Sequence, residues 1–250
     1  MRRLWKSLLL VPVIAVAVPS AAWASPAAYA ARSAYAARSA YAARSAPAAT
    51  ARALQPGMSS AAVKALQRRL AALKYYPGSI DGQFGGNTLE AVWAFEEVQG
   101  LPAHDYVTAA MKRALAHPRA PRVLVRHGGA NRVEVSLSRE VLVLYHNNQV
   151  ELISHVSTGG HYYYCTNGGC AYAVTPTGNY KTVVFMSGWV HVPLGEMYNP
   201  VFFIGTAFAI HGDTDVPLAP VSHGCVRIPM DIAAFFHKLV HIPGEPVYIR

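Results

Sequence analysis

The chain has 250 residues, of which 52% are hydrophobic and 14% are charged, and its net charge is +9. This length suffices for one large domain or two ordinary ones, and the composition excludes a highly charged, disordered chain. A positive charge of this size raises the question of a polyanionic partner such as nucleic acid, so its distribution along the chain matters.

Residues 1–24 have the pattern of a secretory signal peptide. Three basic residues precede an apolar run, Leu8–Val18, and an Ala-Trp-Ala tripeptide ends at Ala24. The run is much shorter than the roughly 20 residues that a membrane-spanning helix needs. We therefore expect cleavage after Ala24, export to the periplasm or cell wall, and no stable membrane insertion afterwards. An uncleaved anchor is the alternative.

Residues 25–53 are of low complexity, with Tyr-Ala-Ala-Arg-Ser-Ala repeated three times from Tyr29. A period of six gives no continuous helical stripe, which predicts a basic linker. The three repeat arginines and the three basic residues of the signal segment account for six of the nine net charges. No Lys/Arg patch interleaved with aromatic residues follows, so nucleic acid is not an expected partner.

Residues 54–116 are predicted to form three short helices, because apolar residues recur at helical spacing between turn signals. Ser59 or Ser60 caps the first helix, and Asn87 or Thr88 caps the second. The predicted buried positions of the three helices are Val63, Leu66, Leu70 and Leu73, then Ala91, Val92 and Phe95, then Val107, Met111 and Leu115.

The order of residues in this segment resembles the bacterial peptidoglycan-binding domain of the three-helix type. The matching elements are Leu54, Gly57, Val63, Leu66-Gln67, Leu70, Leu73, Asp81-Gly82, Phe84-Gly85, Thr88, Ala91-Val92, Phe95 and Gly100-Leu101. The sequence departs from that pattern at Glu96, where the family usually has Gln, and at His104-Asp105-Tyr106, where it usually has Asp-Gly. The resemblance implies binding to cell-wall glycan, and a purely structural role is the alternative.

Beyond a proline-containing connector, residues 121–250 are predicted to be mostly β, a sandwich or open barrel with one short helix at Asp231–Val240. Short β-branched or aromatic runs are bounded by Gly, Pro and Asn. The predicted strands are Val123–Arg126, Arg132–Leu137, Val141–Tyr145, Val150–Ser157, Gly178–Phe185, Val201–Ile204 and Pro246–Ile249. The whole chain is thus expected to be helical first and β second.

The chain has three cysteines, an odd number for an exported protein. Cys165 and Cys170 enclose a four-residue, glycine-containing loop, which can close as a disulfide if the two Cα atoms lie within about 7 Å. Half of a metal site is the alternative for this pair, although two further ligands are not evident nearby. The disulfide would leave Cys225 as the free thiol.

Cys225 lies in the sequence Ser222-His223-Gly224-Cys225-Val226-Arg227, and His211 ends an apolar strand upstream. A histidine within hydrogen-bond reach can hold a thiol as a thiolate–imidazolium pair, ready to attack before substrate arrives. His223 is the candidate base, and amides around Gly224 and Cys225 are candidates to stabilise an oxyanion. Arg227 is a candidate for holding a substrate carboxylate. A buried structural cysteine is the alternative.

This segment resembles the L,D-transpeptidase catalytic domain over residues 121–250. The resemblance rests on Thr175-Pro176-Thr177-Gly178-Asn179-Tyr180, on Ile210-His211-Gly212 and on Ser222-His223-Gly224-Cys225-Val226-Arg227. It implies that Cys225 is the nucleophile and His223 its base, with His211 a second active-site histidine. It further implies that Ser222 supports the histidine and that the Gly224 carbonyl orients it. Arg227 and Tyr198 are the candidates for substrate contact.

The reaction implied by the resemblance is acyl transfer between peptidoglycan stem peptides. The thiolate attacks at the third residue of a tetrapeptide stem, D-alanine leaves, and a second stem's amine resolves the thioester to give a cross-link between two third residues. Family members are typically acylated by carbapenems. Neither a metal nor an organic cofactor is expected.

Three alternatives remain from the sequence. An L,D-carboxypeptidase differs only in that water resolves the thioester. A non-catalytic wall adaptor would use the first domain alone. A zinc hydrolase would use His211, His223 and Cys225 as metal ligands.

Overall fold

A computed structural model describes residues 53–166 and 168–250. The expected signal peptide and most of the expected linker lie outside the described residues. Within them are four α-helices and twelve β-strands, with the helical segment first and the β segment second. Both the helical start and the mostly-β remainder with one short helix were predicted from the sequence and are confirmed. In the described ranges no helix is long and apolar enough to cross a membrane.

The helical segment consists of α1 (Ala61–Ala72), α2 (Gly86–Gln99) and α3 (Ala109–Ala116). The Ser60 hydroxyl caps α1 by accepting the Val63 amide at 3.1 Å, as the sequence predicts. The predicted cap of α2 was wrong, because α2 begins at Gly86 after an N-cap at Gly85. The Thr88 hydroxyl is used elsewhere: it is buried and accepts a hydrogen bond from Gln67 Nε2 at 3.1 Å.

The β segment holds two five-stranded sheets and a separate hairpin. The first sheet has the order β3-β2-β1-β12-β6, and the second has the order β11-β10-β9-β7, with β8 also paired to β9. The strands of the first sheet are β1 (Arg132–Ser136), β2 (Val141–His146), β3 (Gln149–His155), β6 (Gly178–Lys181) and β12 (Pro246–Ile249). Those of the second are β7 (Val184–Phe185), β8 (Trp189–Val192), β9 (Gly195–Ile204), β10 (Phe208–Asp213) and β11 (Val226–Pro229). The hairpin is β4 (Tyr163–Thr166) with β5 (Gly169–Tyr172).

Two predicted strands differ in the structure. Val123–Arg126 is not a strand, because the amides of Leu124 and Val125 donate to the buried Glu134 carboxylate and not to a neighbouring strand. Gly178–Phe185 is two strands, since the chain leaves the first sheet after Lys181 and joins the second at Val184.

The main core lies between the two sheets and α4 (Met230–Leu239). Its large buried side chains include Leu142, Leu144, Ile210, Ile228 and Phe236. Strands β10 and β11 are parallel neighbours, with His211 opposite Arg227 in the register. This pairing brings the two sequence motifs, which lie more than ten residues apart, to one edge of the core.

Candidate active site

Most of the candidate catalytic and substrate-binding residues line one cleft, whose volume is about 610 Å³. The hairpin β4–β5 and the turn between β8 and β9 both line this cleft. The lining includes Ser222, His223, Cys225, His211, Arg227, Tyr164, Thr166, Leu194, Met197 and Phe208. The sequence-predicted Tyr198 is not among the lining residues: it packs against Trp189 at a ring separation of 5.3 Å.

Cys225 stands immediately before β11 and is half-buried. Its Sγ accepts the Ala209 amide at 3.4 Å and lies 4.0 Å from the Ala207 carbonyl, toward which the thiol donates. Burial raises the pKa of the Cys225 thiol above its ordinary value. Burial alone therefore favours a neutral thiol, and the thiolate–imidazolium pair stays a prediction.

The loop before Cys225 is held by its neighbours' hydrogen bonds. The Ser222 hydroxyl accepts the Gly224 amide at 3.0 Å and donates to the Cys225 carbonyl at 2.6 Å. Thr175 donates its hydroxyl to the Gly224 carbonyl at 2.8 Å. Ser222 thus supports the Cys225 loop, and the Gly224 carbonyl accepts a hydrogen bond from Thr175.

Gly224 is required at its position for two reasons. Its φ of +139° lies where residues with a side chain are rarely found. A Cβ there would also lie 2.6 Å from the Phe208 ring and 2.7 Å from the Val174 carbonyl. The glycine therefore lets the Cys225 loop sit directly against its surroundings.

His211 is buried on β10, and its Nδ1 lies 3.0 Å from the Gly212 carbonyl. A carbonyl oxygen only accepts, so Nδ1 carries the proton and Nε2 is left with a free lone pair. Burial lowers the pKa of His211, which keeps the ring neutral. The ring has the tautomer and the charge of a proton acceptor.

His223 has a different environment. It lies edge-on to Tyr164, with ring centroids 4.7 Å apart, and to Tyr162 at 5.7 Å. Partial burial lowers its pKa as well. Tyr164 lies in the hairpin, and Tyr162 directly precedes it. The sequence analysis missed both tyrosines, because the sequence does not show that this hairpin contacts the cysteine motif.

Arg227 is held at the edge of the cleft by the Asp213 carboxylate and the Asp215 backbone carbonyl. Its Nε lies 3.1 Å from Asp213 Oδ2, and its guanidinium donates to the Asp215 carbonyl at 3.2 Å. The sequence analysis did not identify these aspartates, although both follow shortly after His211. They fix the direction in which the guanidinium faces.

Cys165 and Cys170 form a disulfide across the hairpin, where they are directly paired between β4 and β5. Cys225 is the free cysteine. In the described ranges no group of three or more His, Cys, Asp or Glu side chains could hold a metal ion. The ligand set imagined for a zinc hydrolase is therefore not assembled there.

Comparisons with known proteins agree with this architecture. The peptidoglycan binding domain family matches residues 59–115, and the L,D-transpeptidase catalytic domain family matches residues 130–249. No match was found among curated protein sequences.

Two solved structures are similar to this chain to different degrees. An L,D-transpeptidase from Xylanimonas cellulosilytica is 30% identical, with a TM-score of 0.74, and the match covers 79% of this chain and 97% of that one. One from Stackebrandtia nassauensis is 19% identical over 78% of this chain and 94% of that one, with a TM-score of 0.43. The first similarity, with the domain match, establishes that the chain belongs to the L,D-transpeptidase family.

Proposed function

We propose that this protein is an exported, cysteine-dependent L,D-transpeptidase that joins the third residues of two peptidoglycan stem peptides. The observation that carries the proposal is the free Cys225 thiol in the same cleft as a buried histidine whose tautomer is fixed. The fused peptidoglycan-binding segment supports a wall substrate, because it would keep the cleft close to glycan and stems.

Cys225 is the proposed nucleophile, and the contacts favour His211 over His223 as its base. His211 has a carbonyl partner that leaves Nε2 free, whereas His223 has aromatic neighbours in the same cleft. This reverses the roles expected from the sequence. His223 then serves as the second histidine of the cleft.

In the proposed reaction the thiol proton passes to His211 Nε2 as sulfur bonds to the carbonyl carbon of the third stem residue. The peptide bond to D-alanine breaks, and the imidazolium returns its proton to the leaving amine. The acceptor stem's amine then attacks the thioester and gives a proton to His211. The carbon–sulfur bond breaks, and His211 passes that proton to the departing sulfur, which restores the Cys225 thiol and the neutral imidazole. Thiol and imidazole supply all of these steps, so no metal or cofactor is required.

Two further roles follow from the loop geometry. Because Ser222 already accepts the Gly224 amide, the Cys225 amide is the proposed donor to the developing oxyanion. Arg227, oriented by Asp213, is proposed to bind a stem carboxylate.

The test is intact-mass spectrometry of the exported protein before and after incubation with a carbapenem. We expect one covalent adduct, absent in Cys225→Ala, and a two-hydrogen deficit from the Cys165–Cys170 disulfide. Incubation with stem tetrapeptides should then yield cross-linked dimers. Trimmed monomers would mean an L,D-carboxypeptidase, and a folded protein without any adduct would favour a wall adaptor.

A further inference from the structure

His155 is a buried polar side chain that the proposed mechanism does not use. It ends β3, is 1% exposed, and has hydrogen-bond partners on both ring nitrogens. Nδ1 lies 2.8 Å from Glu97 Oε1 of α2, and Nε2 lies 3.2 Å from the carbonyls of both Val216 and Pro217. The ring therefore joins the helical segment to the loop that follows β10.

The protons of this cluster can be assigned from the acceptors. Nε2 faces carbonyl oxygens, which only accept, so it must carry a proton. One further proton lies between Nδ1 and the Glu97 carboxyl, whether it is held by the ring or by the acid. The hydrogen bond to Glu97 and the hydrogen bonds to the loop carbonyls can therefore exist together only while the His155–Glu97 pair keeps this shared proton.

The loop that His155 contacts is the one that orients Arg227. Asp213 and Asp215, which bind the guanidinium, lie directly before Val216. Ser157, two residues after His155, binds the far end of the same loop. Its hydroxyl donates to the Ala219 carbonyl at 2.9 Å and accepts the Val221 amide at 3.2 Å. His155 and Ser157 therefore both hold this loop by hydrogen bonds.

We propose that His155 is a positioning residue, which anchors the Val216–Pro217 loop to Glu97 of the helical segment and so fixes Arg227 for substrate. The kinetic consequence rests on the proposed function, whereas the anchoring does not. The helical segment then contributes to the cleft through this contact as well as through any binding to the wall.

Two conservative variants separate the two contacts of the ring. His155→Gln places an amide nitrogen near the position of Nε2 and keeps a donor for the loop carbonyls, while it gives up the Glu97 contact. His155→Asn places its amide near Nδ1 and leaves both carbonyls without a donor. We expect carbapenem acylation to slow about tenfold in His155→Asn, because buried acceptors lose their donor, and to stay within about threefold in His155→Gln.

Hydrogen exchange of residues 213–222 gives a readout that does not need activity. Exchange should accelerate in His155→Asn and stay near the wild-type rate in His155→Gln, at temperatures well below the melting point of each. Equal acylation and equal loop exchange in the two folded variants would overturn the proposal. If the wild type accepts no carbapenem, the proposed function fails, yet the exchange comparison still decides the role of His155.

A pH comparison keeps the test valid if His155→Asn does not fold. Loss of the shared proton should release the loop at alkaline pH. In Glu97→Gln the uncharged amide can donate to Nδ1 of the neutral ring, so Nε2 keeps its proton and the loop stays anchored. Glu90 and Glu96 of α2 and the buried Glu140 also face this pair and are unchanged in the variant. Loop exchange that rises equally from pH 6 to pH 9 in both proteins, after correction for intrinsic rates, would contradict the proposal.

Discussion

At the scale of single residues, the proposed mechanism depends on the protonation of Cys225 and His211. Burial raises the pKa of Cys225 above its ordinary 9.0 and lowers the pKa of His211 below its ordinary 6.5. A neutral histidine is thus available across neutral pH, and it is lost only as the pH falls below 6.5. We expect the wild-type acylation rate to be flat near neutrality and to decline in acid, as followed by stopped-flow loss of carbapenem absorbance.

The same experiment distinguishes the two histidines. In His211→Gln the thiol must ionise without a base, so acylation should fall by about 100-fold or more at pH 7 and rise with pH. The matched variant His223→Gln should keep the flat profile within about tenfold. The opposite pattern would restore His223 as the base.

The sequence could single out Cys225 and both histidines as candidates, because their motifs are contiguous in the chain. It could not rank the histidines, since the deciding contact is the bond from His211 Nδ1 to its neighbour's carbonyl, which depends on the backbone conformation at Gly212. A Cβ at Gly212 would lie 2.6 Å from Ala233 Cβ, so the close approach of α4 also needs this glycine.

At the scale of elements, the β4–β5 hairpin forms a wall of the cleft with little packing of its own. Of the residues in its two strands, only Tyr164 is partly buried, and the others are exposed. A two-stranded hairpin is only marginally stable by itself. We therefore expect Cys165→Ser with Cys170→Ser to slow acylation about threefold to tenfold while the melting temperature changes little. Acylation kinetics and calorimetry on the same preparation would measure both.

The matched control for that variant is Tyr163→Ser, since Tyr163 lies on the same hairpin and is 82% exposed. It should acylate at the wild-type rate. A large fall in the melting temperature of the double-serine variant would show instead that the disulfide supports the whole fold.

Two departures from the family pattern in the helical segment turn out to contact each other. Glu96 is fully buried, and its Oε2 accepts the amide of His104 at 2.8 Å. Burial raises the pKa of Glu96 to about 7. The sequence shows each departure separately. Only the fold shows that Glu96 binds the backbone of the His104-Asp105-Tyr106 loop, which replaces the usual Asp-Gly.

At the scale of the whole molecule, the helical segment and the β segment share a hydrophobic core. Val141, Val143 and Ile153 of the first sheet pack in the same cluster as Tyr75 and Phe95. The backbone continues this contact, because the Ile153 amide donates to the Lys74 carbonyl at 2.9 Å. The sequence predicts separate segments joined by a connector, since periodicity reports which faces are apolar but not which faces meet.

This shared core predicts that residues 121–250 will not form a stable protein without the helices. Removal of residues 53–116 would expose Val141, Val143 and Ile153, and each buried aliphatic side chain contributes about 1.5–3 kcal/mol. Their sum is comparable with the roughly 5–15 kcal/mol by which a domain is stable. We expect residues 121–250 to aggregate or melt far below residues 53–250 in calorimetry.

A variant of the shorter fragment tests whether exposed apolar surface is the cause. Val141→Thr, Val143→Thr and Ile153→Thr together should restore solubility, since they remove the apolar face that the helices cover. Equal melting temperatures for the two fragments would mean that the helices contribute only wall binding. Unequal ones would mean that the helices also stabilise the β segment, which contains His155 and the loop beside Arg227.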